Sequence, residues 1–555
     1  MASLAHRRLA RFLPFALLAA SLALTGCRGG TEKASTSHSA KAGDAQTPRR
    51  GGTVVVGWNS DITGVNELIF PTNNLTDEVL FKIFLHLLQE QPDFERHPPT
   101  FAPQLARSYD WSPDHKILTF HLRDDVVWSD GVPVTAEDVR WTWQAEIDRS
   151  VSWEASYMKA SITDVEVVDP HTARFHFSHV YAKQLLDANE AVILPKHAWS
   201  QLPFDQWRKN ADWFRQHLVV DGPFTLASWT PQQELVLARN ERYFDRSRPY
   251  LDRVVIRVVP NQGSLATQLF SGALDFVPQV SPGDADRIKK DPRLNLVAYW
   301  FRLIVAVAWN NERPPFDDPE VRRALTLGID RKAIVETLFG PYGRIATSPY
   351  VAGVWAHNHA APLPYDPKKA REILAARGFK DSDGDGVLDR NGKPFTFELT
   401  SNAGNRQRND AAVMIQDQLK KIGIRAAPRV LEFNTLVSQL DVGNYDATIT
   451  GLGMDTSLDL TGNFAAASIK DGSNYARYKS PEFDRLIAQA MSRPDILDSR
   501  ADLVRIQEIL YRDQPYTFLW ESQRLNGINR RVRGAKPNVL FSLINLEDWW
   551  VEPGR

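Results

Sequence analysis

Residues 394–454 read PFTFELTSNAGNRQRNDAAVMIQDQLKKIGIRAAPRVLEFNTLVSQLDVGNYDATITGLGM. Phe395, Phe397 and Leu399 alternate with polar residues, the period of a half-buried strand. Ile415, Leu419 and Ile422 then recur at helical spacing, and Gly423 supplies the stop. Residues 424–431 return to strand character, Asn434 caps a short helix through Leu440, and residues 445–451 make a third strand. Strand and helix in this alternation imply parallel strands joined by right-handed crossovers, which puts the chain in the α/β class.

That topology also says where to look for a ligand. In open sheets of this kind ligands lie beyond the carboxyl ends of the strands. Two such ends are residues 401–408 (SNAGNRQR) and residues 452–460 (LGMDTSLDL). The second holds Asp455, preceded by Leu452, Gly453 and Met454. A desolvated carboxylate there makes a strong charge-assisted bond to an ammonium group, whereas in water it is an ordinary loop aspartate. In the first, Arg406 and Arg408 suit bidentate binding of a carboxylate, or else are solvated arginines at a helix start. Trp309 and Trp520 are candidate pocket walls, with core packing as the competing reading.

The chain has 555 residues, too many for one compact core, and implies several domains. Its 66 basic and 67 acidic residues balance, which argues against a nucleic-acid-binding surface spread over the molecule. The N-terminus is basic at His6, Arg7, Arg8 and Arg11 and apolar over residues 12–24. Such a run is shorter than the roughly twenty residues that cross a bilayer and reads as a secretion signal. It closes on Leu24, Thr25, Gly26 and Cys27, which resembles a bacterial lipobox. The resemblance implies removal of residues 1–26 and a lipid on Cys27; the alternative is an ordinary signal with an incidental cysteine. Cys27 is the one cysteine, so the body has neither a disulfide nor a thiolate metal cluster. Residues 27–50, lacking apolar periodicity, read as a flexible tether.

Residues 105–144 are the most locally consistent part of the body. Residues 117–122 alternate as a strand, Asp124 and Asp125 interrupt, residues 126–128 resume it, and Asp130 and Gly131 make a turn. Thr135 stands three residues before Asp138 at the start of a helix. The string LTFHLRDDVVWSDGVPVTAEDV at residues 118–139 closely resembles the oligopeptide and dipeptide substrate-binding proteins of bacterial ABC importers, the family 5 extracellular solute-binding proteins. DGPF at residues 221–224, LARNERYFDRSRPYLDRVVIRVVP at 237–260, PPFDDPEVRRALTLGIDR at 314–331, YDPKKAREILAARGF at 365–379 and GLGMDTSLDLTGNF at 451–464 are similar to further blocks of it.

The resemblance implies an α/β, two-lobed periplasmic-binding-protein-like fold of type II, in its large peptide-binding class, with an inserted subdomain. Lobe I would comprise residues 51–83, 215–304 and 521–555, the insert residues 84–214, and lobe II residues 305–520. It further implies a monomer that captures a short peptide between the lobes, hands it to the permease of an ABC importer and is held to the membrane by the Cys27 lipid. In peptide-binding members an aspartate just after this strand binds the α-amino group, a role that falls on Asp455. Two departures weaken the peptide reading: members often carry tryptophan where this chain has Leu452, and Thr456, Ser457 and Leu458 replace the usual polar group. Relatives binding nickel chelates, oligosaccharides or opines, and a sensory lipoprotein of the same fold, remain alternatives.

Asp381, Asp383, Asp385 and Asp389 stand at positions 1, 3, 5 and 9 of a calcium-type loop, but position 12 is Gly392 rather than an acid. An acidic turn competes with structural calcium there, and no other cofactor is expected. No zinc-protease, nucleophile-elbow or phosphate-loop motif is present, so the chain reads as a binding protein and not an enzyme, a glycosidase-like carboxylate pair being the minor alternative.

Overall fold

Two long strands cross the molecule side by side, Leu294–Trp309 with sixteen residues and Tyr516–Asn529 with fourteen. They run antiparallel and pair along most of their length. The ladder breaks in the middle: Trp300 faces Gln523, the next paired residue is Ile304 opposite Glu521, and a second shift follows between Val305 and Ala306. The computed structural model describes residues 47–70 and 73–552. The secretion signal, Cys27 and most of the tether lie outside the described residues.

On one side of the break, Phe276–Val277 extends the sheet through Thr53–Trp58, Arg253–Val258, Glu234–Arg239 and Phe224–Thr230. On the other side, Ala447–Gly453, Thr396–Asn402 and Arg425–Leu431 complete one sheet of eleven strands, with Gly343–Ile345 paired off its path. The two lobes therefore share a sheet through two strands. Thr396–Asn402 is parallel to both its neighbours, as the strand and helix alternation requires.

The apolar run in residues 303–309 is buried on both faces. Ile304, Ala306 and Ala308 pack into one core with Tyr516 and Phe518. Val305, Val307 and Trp309 pack into another with Trp520. A strand covered on both faces loses its alternation, which is why it reads as a continuous hydrophobic segment.

The insert contains a separate four-stranded antiparallel sheet, in the order Ala106–Trp111, Ile117–Leu122, Thr172–Phe177 and Ile162–Asp169. Helix Ala136–Ile147 packs against it, and the Asp138 carboxylate accepts from the Thr135 amide at 2.8 Å. The expected strand over residues 126–128 is reduced to a single bridge between Val127 and Pro133. Gly131, at φ 95°, makes the predicted turn so tight that Trp128 bonds back to Val132. Asp124 pairs with Arg107, Asp125 with Arg123 and Asp130 with His197, so these acids serve turns and surface pairs.

Two clasps tie distant parts of the first lobe together. The Gly222 amide donates to the carbonyl of Ile83 at 2.8 Å, and buried Asp221 accepts from the Leu85 amide at 3.0 Å. These bonds give the DGPF block its purpose, which is to hold the end of helix Asn74–Ile83. From that helix, Glu78 accepts from the amides of Ser542 and Leu543 at 2.6 and 2.7 Å. Lys82 donates to the Ile544 carbonyl and to Glu547, at 2.6 and 2.9 Å. The C-terminal segment is thereby pinned beneath the cleft.

A Cβ at Gly222 would lie 2.6 Å from the Ile83 carbonyl carbon. Gly222→Ala must therefore displace backbone, and chemical denaturation is expected to register a loss of about 2–3 kcal/mol.

Candidate ligand-binding site

The break in the interlobe ladder opens onto two cavities. Arg302 borders one of about 480 Å³, while Phe301 and Leu303 border another of about 330 Å³. Both lie where strand topology directs a ligand, at the carboxyl ends of Ala447–Gly453 and Thr396–Asn402.

The larger cavity is walled on the lobe II side by residues 453–457. Asp455 is exposed to it, bonded by the Ser457 hydroxyl at 2.5 Å and without an ion pair among the described residues. The loop is held in shape from below, where Leu458 adopts φ 59° and the buried Tyr350 hydroxyl donates to its carbonyl at 2.7 Å. Gly453 and Met454 line the cavity as expected. Leu452 does not: its side chain packs into the core, 3% exposed, on the opposite face of the strand from Gly453, and Met454 beyond the strand end touches the same core while bordering the cavity.

The facing wall comes from the first lobe and its insert, and sequence reasoning missed it. It presents Glu90, Lys183, Asp187 and Glu190, with Phe81 and Phe541 beside them. Burial raises the Glu90 carboxyl, and Glu190 and Asp455 add to the effect against the pull of Thr456 and Arg302. Its Oε1 is sealed from solvent with no hydrogen-bond partner. Glu190 is exposed to the cleft but hemmed by protein, and that desolvation, reinforced by Asp455, raises its carboxyl too. Asp187 is pushed up to about 6 by burial, despite Lys183 at 3.9 Å. Burial opposes the charge on Lys183, but Asp187, Asp455 and Asp459 hold it above its ordinary value. His86 is pushed down to about 4 by burial and stays neutral. Arg302 was the findable residue, a lone charge entering the apolar run of residues 303–309.

The smaller cavity is basic. Arg408 reaches over the Cα of Gly451 into space a side chain would need. Its Nη1 donates to Asn402 at 3.0 Å, its Nε is sealed without a partner, and burial lowers its basicity. Arg524 lies 3.7 Å over the Phe301 ring. Neither guanidinium has an ion pair among the described residues, and no acid lines this cavity. The starts of helices Asn74–Ile83, Pro282–Lys290 and Arg406–Lys420 also border it.

The remaining expectations fall elsewhere. Arg406 is 91% exposed at its side chain and 3.4 Å from Asp410, a solvated helix-start arginine. Trp309 is not a pocket wall: it is fully buried, stacked on Phe316 at 5.4 Å and bonded to Thr517. Trp520 is a core residue at 2% exposure that only borders the smaller cavity. Asp381, Asp383 and Asp385 bring carboxylate oxygens within 4.8 Å of one another. Asp389 does not join them but turns to the Ser382 amide at 2.9 Å, and Asp381 accepts from the amides of Gly384 and Gly386.

The sequence matches the bacterial extracellular solute-binding proteins, family 5 (middle region), over residues 100–474. The chain belongs to this family. It is 30% identical to the oligopeptide-binding protein AppA of Bacillus subtilis, over 98% of this chain and 99% of that one. The periplasmic oligopeptide-binding protein OppA of Escherichia coli is 27% identical over 76% of this chain and 78% of its own. The structure of the Bacillus subtilis AppA with a nonapeptide superposes with a TM-score of 0.77, covering 91% of this chain and all of that one. NikZ of Campylobacter jejuni, solved with Ni(L-His), shares the fold at 22% identity and a TM-score of 0.76, covering 90% of this chain and 99% of its own. The family binds substrates and is not a catalytic one, and the binding protein has the two-lobed α/β architecture that its sequence blocks imply. No helix among the described residues is long and apolar enough to cross a membrane.

Beneath the acidic wall, Glu67 accepts from the Val192 amide at 2.8 Å and so steadies the loop carrying Glu190. Burial pushes its carboxyl up to about 8. Between the ordinary glutamate value and about 8 the folded state holds more protons than the unfolded one, so stability falls as pH rises through that window. Melting temperature should therefore drop between about pH 5 and about pH 8, and Glu67→Gln should shrink the drop. An unchanged drop would clear Glu67 of this dependence.

Proposed function

We propose that this chain is the lipid-anchored receptor of a peptide importer. Cys27 carries the anchor, the body works outside the cell membrane as a monomer, and the partner is an ABC permease. Catalysis has no place in this reading, since closing two lobes over a ligand and releasing it needs no covalent step.

The observation that carries the peptide reading is the placing of two opposite charges, neither in an ion pair among the described residues, along one strand end. Asp455 stands in the acidic cavity and Arg408 over Gly451 in the basic one. Residues 451–453 end the strand and 454–455 continue beyond it, so the two positions lie at most roughly 13 Å apart along the chain at the rise of a strand. A peptide of about four residues, lying beside residues 451–455, reaches from one to the other with its amino group at Asp455 and its carboxylate at Arg408. Arg524, with Tyr299 as a hydrogen-bond partner but no ion pair among the described residues, supports the acid end. AppA of Bacillus subtilis, with its nonapeptide, supports the ligand class.

Calorimetric titration with tetra-alanine tests both ends. Asp455→Ala should cost the free-amine peptide about 2–3 kcal/mol, roughly 30- to 150-fold in Kd, and its N-acetylated form far less. Arg408→Ala should cost the free acid more than the C-terminal amide. Equal losses for modified and unmodified peptides would remove the residue concerned from its role.

The loop at residues 381–389 is read as a self-bonded acidic turn, because its carboxylates already accept from its own amides. Calcium added to the purified protein is expected to leave its melting temperature unchanged; a rise of several degrees would assign the ion.

A further inference from the structure

The acidic cavity holds more negative charge than one amino group neutralises. Four carboxylates line it, from Glu90, Asp187, Glu190 and Asp455. Three cationic side chains share the lining, but Lys82 is bonded to Glu547 at 2.9 Å, which leaves Lys183 and Arg302. Lys183 is itself divided between Asp187 at 3.9 Å and Asp459 at 3.7 Å. Glu190 makes no side-chain hydrogen bond or ion pair among the described residues, and one oxygen of Glu90 is sealed without a partner. An ammonium bound by Asp455 still leaves both carboxylates without an ion pair among the described residues, Glu90 meeting Thr456 and the pull of Arg302, and Glu190 the pull of Lys159, Lys183 and Arg302.

The walls beside them suit a second cation. Phe81 and Phe541 meet edge to face at 4.7 Å in the lining. Tyr157, next to the lining residue Met158, is 68% exposed and within electrostatic reach of Glu190 and Asp455. An exposed aromatic ring beside unpaired carboxylates attracts a guanidinium or ammonium through both charge and ring quadrupole.

We propose that Glu90 and Glu190 form a second cation site across the cavity from Asp455, so that the preferred ligand carries two positive charges near one end. Among peptides this is a basic side chain on the first residue. The proposal rests on the reading of Asp455 as the amine contact. The raised carboxyls of Glu90 and Glu190 agree with it, since a bound cation relieves the repulsion and desolvation that raise them.

The test compares Lys-Ala-Ala-Ala with norleucine-Ala-Ala-Ala, which differ only in the terminal charge, by calorimetry on the purified protein. The lysine peptide should bind at least tenfold tighter, about 1.4 kcal/mol. Glu90→Gln combined with Glu190→Gln should bring that ratio below threefold. Equal binding of the two peptides by the unmodified protein overturns the second site and leaves the peptide reading standing. If neither peptide binds, the peptide reading fails, and cadaverine against pentylamine in a thermal shift assay decides the second site alone. A shift with the diamine only sustains it; equal or absent shifts overturn it.

Discussion

The paired strands Leu294–Trp309 and Tyr516–Asn529 constrain everything else in the fold. Each must satisfy its backbone groups on both sides while passing from one lobe to the other. The solution is a continuous sheet whose ladder fails only where the lobes meet. At that failure residues 301–303 send Arg302 to one cavity and Phe301 and Leu303 to the other. The crossing between the lobes and the candidate ligand cleft are therefore the same place.

Charge in the cleft is arranged by exclusion as much as by attraction. Acids gather on one side of the break and unpaired arginines on the other, and no acid lines the basic cavity. Keeping the Arg408 Nε and one Glu90 oxygen buried without hydrogen-bond partners costs the empty protein stability. That cost is recovered only by a ligand whose charges run in the matching order, which opposes binding of a peptide in the reverse direction.

Sequence reading reached the scaffold because its signals are local. The strand and helix alternation of residues 394–454, the turn at Gly131 and the Thr135–Asp138 start are each written within a few residues. Asp455 and Arg408 were reachable as well, since topology alone marks the carboxyl ends of parallel strands. Leu452, Trp309 and Trp520 misled because a run buried on both faces does not say which residues turn toward the cleft. Glu90, Lys183, Asp187 and Glu190 were out of reach for another reason. They come from the insert, more than a hundred residues from the sheet end they face, and only the assembled fold brings them there.

The clasp of Glu78 and Lys82 on the C-terminal segment has a temporal meaning. Leu540, Phe541 and Ile544 form part of the acidic cavity, yet the helix that pins them begins at Asn74. A chain made N-terminus first has its insert and most of both lobes before that wall exists. Until residues 540–544 dock on that helix, the cavity stands open on one side.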